Sequence, residues 1–199
     1  MSRWRDAETV DVASINADLR PGGLTADVMI HHPDNLDPAH RARVTVDLLV
    51  AGFRAAKPVF AEAGVQLNLA GVRTGPLDPA LFAVHATDDR HPLPRDRFTG
   101  MYRAATRHPD RPSDEARAAF EAIIPTHCDG DRTIHLVALQ DVFMTFAEPL
   151  DDRTWQWKTI ATGGLSFPGY LFGTSIPRHL RGVISITDLT RNEHSWKTV

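Results

Sequence analysis

Ala26, Val28 and Ile30 alternate with Asp27 and Met29 ahead of His31-His32-Pro33, the period-two pattern of a half-buried strand closed by a proline. Asp37-Pro38 then gives a helix start: the carboxylate accepts from free first-turn N–H groups, and proline has no N–H to leave unpaired. From there Val44, Leu48, Ala51, Ala55, Val59 and Ala63 recur every three or four residues along one stripe, and Gly64 supplies the stop. The spacing predicts one long helix from Asp37 to Ala63, bent near residues 54–58 because Pro58 removes a backbone hydrogen bond. Val65-Gln66-Leu67-Asn68-Leu69 alternates again, and the order strand, helix, strand predicts a right-handed crossover with parallel strands.

Residues 74–112 carry prolines at 76, 79, 92, 94, 109 and 112 and no clear period, which predicts an irregular insertion with one short helix near Arg97 to Thr106. Ser113-Asp114-Glu115 starts a second helix with Ala116, Phe120, Ile123 and Ile124 inward, and Pro125 ends it. The nearly continuous apolar run Thr133 to Leu139 suits a central strand covered on both faces. Ile160 to Gly173, with Gly163, Gly164, Gly169 and Gly173, reads as an irregular edge strand or a gripping loop. Gly182 to Ile186 is another buried strand. The polar residues 1–24, ending in Pro21-Gly22-Gly23, read as a flexible leader. Together these elements predict an α+β fold: a twisted mixed sheet of about four to five strands backed by one long helix and a second, shorter one. Residues 25–199 form its single domain.

Composition narrows the function classes. With 22 basic against 25 acidic side chains the formal charge is −3, so no electrostatic funnel for nucleic acid exists. No apolar stretch approaches the roughly 20 residues that cross a bilayer, and the first residues lack the apolar core of a secretion signal, so cytoplasm is the expected location. Cys128 is alone, which excludes an internal disulfide and a CxxC metal site.

Familiar catalytic patterns are near misses. Gly164-Leu165-Ser166-Phe167-Pro168 resembles a nucleophile elbow, but Pro168 stands where the strained turn needs glycine. His31-His32 with Asp34 and Asp37 offers metal-ligand chemistry, yet neighbours in a strand point to opposite faces. Asp129-Gly130-Asp131 lacks the closing Glu of a calcium loop and reads as a turn. His135 in the apolar strand reads as a hydrogen-bonded histidine. Cys128 beside His127 is a neighbour pair in sequence, which by itself gives no dyad geometry. No HxxxH pair occurs in the 199 residues.

The phrases FAEAGVQLNL, TIHLVAL, ATGGLSFPG and RGVISITDLTRNEHSWKTV, in this order, resemble the N-terminal subdomain of zincin metallopeptidases, closest to metzincins. In that family a long helix backs a twisted mixed sheet, a Gly-containing antiparallel edge strand forms the upper rim of the cleft, and one further strand leads into the active-site helix. The matching positions are Asp37 to Ala63, Ile160 to Phe167, and Val183 to Ile186. The resemblance implies an extended peptide or protein substrate held at Gly163, Gly164, Leu165 and Ser166, and zinc as the cofactor of the complete family domain. It places the HExxHxxGxxH helix from about His194 onward, so the chain is expected to be cut before its zinc ligands and inactive by itself. No catalytic or metal-binding residue carries over. Asn192 to Val199 reads as a helix cap and first turns only. The reading from a different class is a noncatalytic α/β module that binds a peptide or protein.

Overall fold

The structure is a computed structural model and describes residues 4–85, 113–124, 133–151, 154–166 and 177–187. Along the chain come Arg5–Asp6 (β1), Val12–Ile15 (α1), Leu24–Pro33 (β2), Pro38–Arg41 (α2), Val46–Glu62 (α3), Val65–Gly75 (β3) and Ala83–His85 (β4). Asp114–Ile123 (α4), Thr133–Ala138 (β5), Asp141–Pro149 (β6), Trp155–Thr162 (β7), Gly164–Ser166 (β8) and Val183–Ile186 (β9) follow. Six strands form the main sheet in the order β1-β3-β2-β5-β9-β8. The four inner strands are parallel, and both edges run antiparallel to their neighbours. A second sheet, β4-β6-β7, pairs β4 parallel to β6 and closes with the β6–β7 hairpin. Mixed strand directions and segregated helices make this an α+β fold.

Each face of the main sheet has its own core. Against α3, Val28, Ile30, Leu67, Leu69, Leu136, Ala138 and Ile186 pack with Leu49 and Phe53. Against α4, Val137, Leu139 and Val183 meet Ala116, Ala119, Phe120 and Ile123, together with Trp4 and the second-sheet residues Val84 and Val142. Burying each large apolar side chain contributes about 1.5–3 kcal/mol, so the two clusters supply most of the driving force.

The expected long helix is two helices. Asp37 caps α2, its carboxylate accepting from Ala39 N–H, but α2 ends after one turn and Thr45 starts α3 by accepting from Leu48 N–H at 3.2 Å. The apolar stripe runs through the break because Val44 is fully buried between the helices. α3 continues across Pro58 to Glu62.

The leader is docked, contrary to the expected flexibility. β1 pairs with the end of β3, Trp4 and Ile15 are buried, and Asp11 caps α1. Part of the expected insertion is ordered too: Asn35 exchanges two hydrogen bonds with Leu77, Asp78 caps a short 3-10 turn, and β4 follows. The expected helix near Arg97 to Thr106 lies outside the described residues. The hairpin β6–β7 has no counterpart in the sequence expectations. The second helix, α4, starts at Ser113 as expected, with that hydroxyl accepting from Ala116 N–H at 3.0 Å.

Candidate functional site

Gly163 is the junction between the two sheets: β7 ends at Thr162 in the small sheet and β8 begins at Gly164 on the edge of the large one. Thr187, just past β9 and 5 % exposed, fastens this junction. Its N–H donates to Gly163 O at 3.1 Å and its hydroxyl donates to Thr162 O at 2.8 Å. Gly164 must be glycine here, since a Cβ would stand 2.7 Å from Ser185 O.

β8 pairs antiparallel with β9 in the register Gly164 to Ile186, Leu165 to Ser185 and Ser166 to Ile184. In an antiparallel ladder, hydrogen-bonded pairs alternate along the strand. The Thr187 to Gly163 bond fixes the phase, so Leu165 and Ser185 form the next bonded pair. The backbone groups of Gly164 and Ser166 therefore turn outward. Among the described residues no strand covers that side. The four residues expected to hold substrate are thus contiguous on one edge, but only Gly164 and Ser166 present backbone pairs to a ligand. Leu165 spends its own on β9. Ser166 is exposed, and no histidine among the described residues hydrogen-bonds to it.

Neighbouring histidines split as strand geometry requires. His32 points to the helical layer, with its Nε2 2.7 Å from Val44 O. His31 points to the α4 face, where its Nε2 lies 3.0 Å from His135 Nδ1 and Trp4 meets it edge-on. Burial pushes His31 down to about 3, helped by positive charge on His135 and Arg73, and pushes His135 down to about 4, helped by His179. Burial also lowers His32, partly offset by the Val44 carbonyl. His31 and His135 are neutral at pH 7. His31 Nδ1, His135 Nε2 and His179 Nε2 are buried with no hydrogen-bond partner among the described residues. Residues 31 and 135 come from different strands, so only the parallel register brings them together. The sequence signal was a histidine inside each of two buried strands.

Asp34 and Asp37 do not join His31 in a ligand set: Asp37 caps α2 and His31 is turned to the other face. His127, Cys128, Asp129, Gly130 and Asp131 lie outside the described residues, as do Asn192 to Val199. Among the described residues no group of three His, Cys, Asp or Glu side chains is placed to hold a metal ion. No helix is long and apolar enough to cross a membrane among the described residues.

On the α3 face, an apolar recess of about 80 Å³ runs beside the helix, lined by Phe53, Phe60, Ile134, Leu136, Ile184 and Ile186. Comparison of the chain with protein-family models, with curated proteins and with solved structures found no match.

Proposed function

We propose that this chain is the sheet-bearing subdomain of a zincin-like metallopeptidase and that β8 receives an extended peptide as an added strand. The observation that carries the reading is the position of β8: a glycine-containing antiparallel edge beside β9, with the backbone groups of Gly164 and Ser166 facing outward. Main-chain pairing to an exposed edge gives affinity without fixing side-chain identity. The recess along Ile184 and Ile186 supports the same reading, because the family's helix would follow the strand that carries those residues.

Zinc does not fit the residues described. His31 and His135 direct their facing nitrogens at each other, and the chain has no HxxxH pair to hold the ion on one helix face. No catalytic step is assigned to these side chains. That donor set favours, as a second reading, peptide binding without hydrolysis.

A pair of proline substitutions tests the edge. Ser166→Pro removes an outward donor and leaves the β8–β9 bonds intact, so peptide affinity should fall about tenfold with an unchanged melt. Leu165→Pro removes an inward bond and should lower stability instead. Fluorescence titration of extended peptides against both variants reads the difference. Equal affinity for wild type and Ser166→Pro would overturn strand addition at β8, and chelator-sensitive peptide cleavage by the 199-residue chain would overturn the second reading.

A further inference from the structure

A second recess lies on the opposite side of the molecule's chemistry, between α3 and residues Ser14 to Gly23, where β2 and β3 begin. Its volume is about 930 Å³. Small-ligand sites run roughly 300–1,000 Å³. In the main sheet, β5 and β9 separate β2 from β8, so this recess is distinct from the proposed peptide edge.

Its outer wall is rigid for a definite reason. Asn16 donates to Leu69 O and accepts from Leu69 N–H, both at 2.9 Å. Gln66 donates to Arg20 O at 2.9 Å and accepts from Arg20 N–H at 2.7 Å. Two side-chain amides thus imitate strand pairing and hold the 16–20 segment against β3. Gly22 and Gly64, at φ +80° and +77°, make the two reversals at the rim, a conformation that other residues rarely adopt.

The charge inside is unbalanced. Lys57 donates to Ile15 O at 2.7 Å and to the Asp18 carboxylate, and this hydrogen bond holds the Asp18 carboxyl below its ordinary range. Lys57 and Asp18 therefore cancel. Arg20 and Arg54 also line the recess, both exposed to solvent, and among the described residues neither guanidinium has a hydrogen-bond or ion-pair partner. The nearby C-terminal end of α3 offsets only roughly half a unit of those two charges. A guanidinium fork matches the geometry of carboxylate and phosphate oxygens, and two arginines line this one hollow.

We propose that this recess binds a small dianionic oxyanion compound, a phosphate monoester or a dicarboxylate, between Arg20 and Arg54. The test is an NMR titration of the ¹⁵N-labelled full chain with inorganic phosphate, with succinate, and with acetate as a monoanion control. Saturable shifts at the Gly22, Gly23 and Gly64 amides are expected with Kd below about 1 mM for at least one dianion, and about tenfold weaker for acetate. Which dianion binds tighter distinguishes the two sources. The double variant Arg20→Ala, Arg54→Ala should abolish saturation. Arg54→Lys, which keeps the charge and loses the fork, should weaken binding about tenfold. Shifts that fail to saturate with both dianions, or an affinity unchanged in Arg54→Lys and in the double variant, would overturn the proposal.

Discussion

The two faces of the six-stranded sheet bury their residues by different chemistry. On the α3 face Ile30, Leu49, Leu69 and Ala138 are fully enclosed and wholly apolar. On the α4 face His31, His135 and Ser185 are buried as deeply, beside Trp4, Val137 and Val183. An apolar contact has no proton to gain, whereas a neutral buried imidazole does. The first face supplies most of the stability, and the His31–His135 pair on the second, joined by the buried His32 on the helical side, makes that stability respond to acid.

The largest effect that separates the faces is Leu49→Ala. Truncating this fully buried residue should cost about 2–5 kcal/mol. Urea unfolding at several pH values should show the whole curve lowered and its slope unchanged. The second effect comes from acid alone. His31 has a folded value of about 3 against an ordinary 6.5, so the unfolded chain takes up its proton first as pH falls. Stability is therefore full above pH 6.5 and is lost as pH drops from 6.5 toward 3. At pH 4 the loss from His31 alone is on the order of 3 kcal/mol. His31→Leu with His135→Leu removes both partners together, so it should be nearly neutral at pH 7 and should flatten the slope below 6.5. An undiminished slope in this double variant would break the distinction between the faces, since only the part due to His32 should remain. The smallest effect is Thr45→Ala, which removes the cap of α3 and should cost about 1 kcal/mol at every pH. Faster amide exchange confined to the first turn of α3 would locate it.

Periodicity and caps made much of this architecture readable. The alternation at Ala26 to Ile30, the Ser113 start of α4 and the apolar run from Thr133 all became the elements expected of them. The break between α2 and α3 was hidden, because an apolar stripe records which side is buried and says nothing of the extended backbone at Thr45 that separates the helices. The β6–β7 hairpin carried a usable signal in Trp155-Gln156-Trp157-Lys158, whose alternation marks a strand. The leader misled because its anchors, among them Trp4, Ile15, Asn16 and the Arg20 backbone, are scattered and follow no sustained period. At the candidate edge, glycine content marked Ile160 to Gly173 as an edge strand or a loop, and the choice of Gly163, Gly164, Leu165 and Ser166 came from the family resemblance. Their division into Gly164 and Ser166 outward and Leu165 inward was not, since ladder phase depends on Thr187 some twenty residues away. The His31–His135 pair was illegible for the same reason on a longer scale, 104 residues apart.

The register of β3 against β2 slips between Val28 and Met29, leaving Ala70 opposite no residue. Before the slip Leu67 and Leu69 enter the α3 core, and after it Val72 does, so odd positions give way to even ones. The strand is written in two phases. The second phase delivers Arg73 to the side where its guanidinium donates to Trp4 O at 3.2 Å, and sets Gly75 beneath the Trp4 ring. One supernumerary residue thus works as a switch of parity: it lets a single strand line an apolar core along its first half and carry a cation toward His31 along its second. The place of Arg73 on the α4 face is in this sense an arithmetic consequence of chain length at Ala70, and not of its side chain alone.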